Sequence, residues 1–500
     1  MTTLTVSDRS ASELKGDALV IVSIKTDDGA ALAPGHGLGD QTVAHLKSAL
    51  STLKAKGVVD EVIKLVSVPG VAASMVVVSG AGKASVEGGS LDAEAVRRAV
   101  GSATRQLGGF SKAIVVAPGP GVSEAIAAAE GALFGAYAVT TAATGPAPAP
   151  APVKSIAVAS PLARDRGLRT AIKRAVALGV ATTYTRDLVN QPPNELYPET
   201  FAAAIKKRAV GSGVKVSVLD EAGLARGGFG GHLTVGGGSA NGPRLVTLRY
   251  TPAKAKKHVA FVGKGITFDS GGLTIKPKAG MTTMKCDMAG AAAVASAVFA
   301  IAELGLPVEI SAYLCLAENM PGSGACRPGD VVTMRGGKTV EVNNTDAEGR
   351  MVLADGLALA SEKKPDLIID IATLTGAAVM ALGNRTAAFM SNDDELRAGV
   401  KDIADEVGEP FWPFPMLEDI RPTLESPVAD LLQSGPTGVI YAGWFLSEFV
   451  GNDKHGEPIP WAHLDIAGPA FNDKTPWGYT PAQGTGFGVR TLVAIAESQA

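Results

Sequence analysis

Lys264, Asp269, Lys276, Asp287, Asp346, Glu348 and Arg350 gather acids and bases into runs rich in glycine. Three segments carry most of them: Val262-Gly-Lys-Gly-Ile-Thr-Phe-Asp-Ser-Gly-Gly272, Met284-Lys-Cys-Asp-Met-Ala-Gly-Ala291 and Asn344-Thr-Asp-Ala-Glu-Gly-Arg350. Four carboxylates brought together repel one another unless cations stand among them. Two divalent ions would balance Asp269, Asp287, Asp346 and Glu348. Such ions, about 3.5–4 Å apart, can share a water, lower its pKa and present hydroxide to a carbonyl. The pattern points to a two-metal hydrolase.

No histidine occurs between His258 and His455, so the imidazole ligands of many zinc enzymes are missing from this stretch. Carboxylate-dominated sites take Mn²⁺ or Mg²⁺, and Zn²⁺ also binds carboxylates, so the residues leave the metal open. A lysine amine can ligate a metal once burial and a nearby cation push its pKa down. Left charged, Lys276 could stabilise the oxyanion formed when water attacks a carbonyl. Arg350 could hold an anion or orient a base through two parallel hydrogen bonds.

Any one of these acids alone would read as a turn or helix-cap residue. Their joint occurrence with two lysines is what carries the chemistry. Asp269-Ser-Gly271 resembles the aspartic-protease signature, but that chemistry needs a second such carboxylate, and no other Asp-Ser-Gly or Asp-Thr-Gly exists. Ser270 is outside any Gly-x-Ser-x-Gly elbow and reads as a turn residue. Cys286 lacks a local histidine and reads as a small buried residue. His463, in an expected strand, reads as a hydrogen-bonded core histidine. The Gly119-Pro-Gly121 and Gly80-Ala-Gly-Lys83 runs read as ordinary turns rather than phosphate cradles, and Gly227–Gly238 as a turn without chemical signal.

The elements that must position these groups follow from the pattern along the chain. Five hundred residues exceed one hydrophobic core, so two domains are expected. The chain is 46% hydrophobic and 19% charged, which suits a globular protein and argues against disorder. A net charge of −3 supplies no basic field for nucleic acid or an anionic membrane. Cys286, Cys315 and Cys326 form no disulfide framework and fit a reducing compartment. The first residues are too polar for a secretory signal. The longest apolar stretch, 289–302, is short of the roughly 20 residues a bilayer span needs. A soluble, cytoplasmic protein is expected.

The run from Gly145 to Val153 alternates proline and alanine, which forbids a helix and suits a stiff spacer. Before it, strands are expected at 18–24, 74–79 and 112–117, with helices at 41–55, 91–106 and 123–139. After it, one long helix at 162–190 ends at Gln191-Pro-Pro-Asn194. Further strands are expected at 214–219, 244–250, 258–262, 309–316, 366–371 and 461–465, and helices at 284–304, 350–362 and 439–450. The alternation makes this an α/β protein with mixed, mainly parallel sheets flanked by helices. It divides into a smaller N-terminal domain (1–150), a linker with a connecting helix (151–190) and a larger C-terminal domain (191–500). Lys264 and Asp269 follow the strand expected to end near Val262. Asp346 and Glu348 fall in a turn before a helix, and Asp287 near the start of another. Ligands in open α/β sheets bind beyond the carboxyl ends of strands, so the three segments can converge there.

These segments resemble the leucyl (cytosol) aminopeptidase family. Further matches are Arg186-Asp-Leu-Val-Asn-Gln-Pro-Pro-Asn194, Asp370-Ile-Ala-Thr-Leu-Thr-Gly376 and Trp461-Ala-His-Leu-Asp-Ile-Ala-Gly468. The resemblance runs from about Arg186 to Ala496, and Asn344–Arg350 is its most specific part. It implies an aminopeptidase with two divalent metal ions, Mn²⁺ or Zn²⁺ with Mg²⁺ also suitable. Asp269 and Glu348 would bridge both ions, Lys264 and Asp287 complete the tighter site, and Asp346 the more exchangeable one. Lys276 would polarise the scissile carbonyl, and Arg350 would hold a bicarbonate base. Met284, Asp287, Thr373, Leu374 and Ala467 would bind the substrate's first residue, leucine-like by preference. The resemblance also implies peptide substrates, a homohexamer and a macro-domain-like first domain. Some bacterial relatives bind DNA, which the acidic composition here disfavours. The segment after Asp430, Leu431-Leu-Gln-Ser-Gly-Pro-Thr-Gly438, departs from the Gly-Gly pair frequent in the family.

Overall fold

The computed structural model describes residues 2–83, 86–87, 90–139 and 150–500. Residues 145–149 of the proline–alanine run lie outside the described residues. The chain forms two compact units, residues 1–183 with 474–482, and residues 184–473 with 483–500.

In the first unit, alternation of apolar residues builds a sheet buried on both faces. Its strands lie in the order Thr3–Ser7, Ser155–Ala159, Lys112–Val116, Ala18–Thr26, Met75–Gly80, Val62–Val66. The pairings are parallel except where Val62–Val66 meets Met75–Gly80 and Gly29–Leu32 meets Ala18–Thr26. Val20, Val22, Val77 and Val115 face one core with the helices Ala93–Arg105 and Val122–Gly135. Leu19, Ile21, Val76 and Val78 face another with Leu46 and Leu50 of the helix Asp40–Thr52. That is the two-residue period of a strand read out in packing.

The second unit is built on an eight-stranded mixed sheet. Its order is Lys215–Leu219, Arg244–Tyr250, Glu309–Asn319, His258–Asp269, Leu367–Ala372, Trp461–Asp465, Ala387–Ser391, Phe411–Pro413. The central strand His258–Asp269 is parallel to both neighbours and buried almost throughout, as a two-faced parallel strand must be. Ala260, Val262 and Ile266 point into a core shared with the helices Glu348–Ser361 and Val439–Ser447. The opposite face meets the alanine-rich helix Ala289–Leu304. Residues Lys278–Leu304 are by length and composition apolar enough to cross a bilayer, yet 83% of the apolar 18-residue window within them is buried inside the protein.

Three local expectations are corrected. The strand expected to end near Val262 continues to Asp269, with a register shift between Ile266 and Asp269, so Lys264 and Asp269 belong to it. Gly263 within it serves close packing, since a Cβ there would stand 2.6 Å from Ala291 Cα. The helix expected over 284–304 is a 3₁₀ turn, Met284–Cys286, followed by the helix from Ala289, with Asp287 in the junction. The glycine-rich 227–238 stretch contains a short helix, Gly230–Gly236, pressed against Met351.

Candidate metal centre

The acidic candidate ligands sit where one element hands over to another, and Lys264 inside the central strand. Lys264 lies on the central strand, on the face of Val262 and Ile266, and Asp269 at its carboxyl end. Glu348 is the first residue of its helix, where exposed amides favour a carboxylate. Asp346 belongs to the preceding turn, in which Asn344 Oδ1 accepts from Asp346 N at 3.0 Å.

The structure brings all five together. Lys264 Nζ lies 2.8 Å from Asp287 Oδ2 and 2.8 Å from Glu348 Oε1. It also donates to the carbonyl of Thr373 at 2.9 Å. Lys276 Nζ lies 2.9 Å from Asp269 Oδ2 and 2.5 Å from Asp346 Oδ1. Oxygens of Asp269, Asp346 and Glu348 fall within 4.8 Å of one another. Lys264, Asp269, Asp287 and Glu348 are buried and Asp346 is partly exposed, so the cluster has a sheltered side and an open side.

Burial and mutual repulsion raise Glu348, Asp287 and Asp346. Burial, then Asp269, pushes Glu348 up to about 8 against the pull of Lys264. Burial pushes Asp287 up to about 6, opposed by Lys264, and Asp346 is raised by burial too. Burial alone would lower both lysines. Asp287, Glu348 and Asp269 outweigh it at Lys264, and Asp269 and Glu348 at Lys276, so both are held above their ordinary value. Among the protein's own groups Lys264 is therefore an ammonium. A divalent ion beside it would reverse that balance and free the amine.

The donor set fits such ions. It consists of hard carboxylate oxygens with one amine, and it is more acidic than its lysines neutralise. Glu348 Oε2 is buried without a hydrogen-bond partner among the described residues, a costly state unless a cation is there.

Around the ligands runs a frame that the sequence reading missed. Asn319 Nδ2 donates to Asp269 Oδ1 at 2.8 Å and to the carbonyl of Thr345 at 3.0 Å, tying strand end to turn. Thr373 Oγ1 donates to Asp287 Oδ1 at 2.8 Å. Asp465 accepts from Leu374 N at 3.0 Å, Ala467 N at 3.1 Å and Thr375 Oγ1 at 2.7 Å, drawing two expected substrate-binding segments together. Met284 is half-buried on the 3₁₀ turn before Asp287. Arg350 is buried on the Glu348–Ser361 helix, donates to the carbonyl of Gln433 at 2.9 Å, and burial pulls its pKa down to about 10.

The residues set aside stay apart from this chemistry. Ser270 Oγ donates to the carbonyl of Asn319 at 2.8 Å. Cys286 is buried, its thiol pushed up to about 12 by that burial. His463 is fully buried, with Nδ1 2.6 Å from Asp370 Oδ1. In the first unit, the Glu124 side chain lies against Gly119 and Gly121, placing a carboxylate where a phosphate cradle needs open amides.

The profile of the cytosol aminopeptidase family, catalytic domain, matches residues 183–493, and that of the same family's N-terminal domain matches residues 21–144. A probable cytosol aminopeptidase of Streptomyces griseus subsp. griseus is 51% identical over 515 residues, covering 100% of this chain and 99% of that one. One of Micrococcus luteus is 44% identical, covering 99% and 98%. Among solved structures, the bottromycin maturation enzyme BotP in complex with Mn superposes with a TM-score of 0.83 at 38% identity, covering 97% of this chain and 99% of that one. The chain belongs to the cytosol aminopeptidase family, metal-dependent peptidases that release amino-terminal residues from peptides.

Proposed function

We propose that this chain is a leucine-preferring aminopeptidase holding two divalent ions, Mn²⁺ or Zn²⁺ in preference to Mg²⁺. The observation that carries this reading is the convergence of Asp269, Asp287, Asp346 and Glu348 on two lysines, with a buried Glu348 oxygen that has no hydrogen-bond partner among the described residues. The relative BotP, solved in complex with Mn, supports manganese. Asp269, Glu348, Lys264, Asp287 and Asp346 would hold the ions, with Asp269 and Glu348 common to both sites, Lys264 and Asp287 serving one and Asp346 the other. When bound, the ions supply Lewis acidity and a water of lowered pKa.

The chain's own residues do the rest. Lys276 aims its ammonium at the scissile carbonyl and donates to the oxyanion as it forms. Arg350 would hold a bicarbonate, which would supply a general base. Met284, Thr373, Leu374 and Ala467 line a pocket for the first side chain, and Asp287 orients the substrate's free amine. We assign this chemistry to residues 191–500, leaving the macro-domain-like residues 1–150 and the connector 151–190 outside it. A homohexamer working in the cytoplasm on intracellular peptides completes the reading.

The test is hydrolysis of leucine p-nitroanilide with Mn²⁺, repeated after chelation and in Glu348→Ala. Activity is expected to vanish on chelation, return with Mn²⁺, and stay absent in the variant. Equal rates in all three conditions would overturn the proposal.

A further inference from the structure

Gln433 is 1% exposed and lies just past the two-residue strand Leu431–Leu432, which pairs in parallel with Val340 and Glu341. Its backbone extends that ladder, with Gln433 N donating to the carbonyl of Glu341 at 2.9 Å. Its side chain then does what a further strand would do. Oε1 accepts from Asn344 N at 3.1 Å, and Nε2 donates to the carbonyl of Ala347 at 3.1 Å. Those groups are the two ends of the turn that carries Asp346 and delivers Glu348, closed on itself by Ala347 N donating to the carbonyl of Asn344 at 3.1 Å. The carbonyl of Gln433 accepts from Arg350 Nη1 at 2.9 Å. One residue thus grips the ligand turn at both ends and the arginine that follows it.

We infer that Gln433 is a positioning residue that fixes the spacing between the Asp346–Glu348 ligand turn and the Arg350 guanidinium. The inference rests on reading the acidic cluster as the metal site. Among the described residues, the turn's other hold on that side is the reciprocal pair of Asn343 Nδ2 with the carbonyl of Ser434 at 2.7 Å and Ser434 N with Asn343 Oδ1 at 3.0 Å. That pair holds only its leading edge. Ala347, between the two carboxylates, is held by the Gln433 amide. Asparagine keeps the amide but is one methylene shorter, so it cannot reach both ends of the turn at once. Leucine keeps the volume and loses both bonds. Partners that orient ligands in this way influence metal affinity and rate far more than their distance from the chemistry suggests.

The test uses the full chain as wild type, Gln433→Leu, Gln433→Asn and Glu348→Ala. Mn²⁺ affinity is measured by calorimetry on chelator-stripped protein, and kcat and KM for leucine p-nitroanilide at saturating Mn²⁺. Gln433→Leu is expected to weaken Mn²⁺ binding by about 10–100-fold. It should lower kcat even when the metal is saturating, with little change in KM, while the folded fraction measured by circular dichroism under the assay conditions stays at the wild-type level, which loss of bulk stability would not allow. Gln433→Asn should fall between it and wild type, and it carries the test alone if the leucine variant fails to fold. Wild-type affinity and kcat in Gln433→Leu, or in Gln433→Asn where that variant stands alone, would overturn the role of Gln433. A wild type that binds no more Mn²⁺ than Glu348→Ala would overturn the metal reading itself, and this inference with it.

Discussion

Gly349 lies against the Lys264 side chain so closely that a Cβ added there would stand 2.6 Å from Nζ and 2.7 Å from Cδ. The lysine has nowhere to retreat, because its ammonium is fixed by Asp287, Glu348 and the carbonyl of Thr373. Alanine is the better helix former by about 1 kcal/mol, so Gly349→Ala would ordinarily stabilise the Glu348–Ser361 helix. Here it is expected to push Lys264 off its carboxylates and weaken Mn²⁺ binding by about 10-fold or more. Calorimetric titration of the variant checks this, and wild-type affinity would show that the contact is slack.

Lys276 touches two of the proposed ligands, Asp269 and Asp346, without being needed to gather them. Asp269 is also held by Asn319 Nδ2 and by Gly271 N at 2.8 Å, and Asp346 by its own turn. Lys276→Ala should therefore bind metal at least as well as wild type, since a competing cation has gone. Turnover should drop by about 10²–10³, the usual cost of losing one donor to a developing oxyanion. Metal content by elemental analysis beside kcat separates the two effects. Unchanged turnover would remove Lys276 from the chemistry.

The seven acid and base groups were legible in the sequence because each stands in a short, glycine-punctuated run. The βα alternation was legible because strand and helix periods differ. What was not legible has one physical origin. Asn319, Gln433 and Asp465 act through hydrogen bonds to backbone groups distant in sequence, such as Thr345, Ala347 and Leu374, and no local pattern marks such a bond. The strand overran its expected end for a related reason. Gly263 answers to Ala291 across the fold, a contact no local pattern shows.

Asn319→Leu probes that hidden frame. The substitution keeps roughly the same volume, so no large cavity forms, but Asp269 loses a donor and the carbonyl of Thr345 loses its partner inside a buried site. Leaving such a group unsatisfied costs about 1–3 kcal/mol. Denaturant unfolding of chelator-treated protein should show that loss, with Mn²⁺ affinity falling in parallel. Full stability in the variant would mean that Asn319 is dispensable to the frame.

His463 offers a pH signature distinct from the metal chemistry. It is fully buried between strands, with Nδ1 2.6 Å from Asp370 Oδ1, while Trp461 Nε1 donates to Asp370 Oδ2 at 2.7 Å. Burial lowers its pKa, but Asp370 outweighs that and the value lies above 6.5 in the fold. A group whose pKa rises on folding stabilises the protein fully below its unfolded value, and that stabilisation is lost as pH climbs through the folded value. Wild type should therefore exceed His463→Gln in melting temperature by most at pH below about 6.5. The gap should narrow as pH rises above that point, because the imidazolium–carboxylate attraction disappears with the proton. Melting curves of both proteins in chelator across this range decide the matter. A gap that stays constant or widens towards alkaline pH would show that the neutral imidazole is the form the fold prefers.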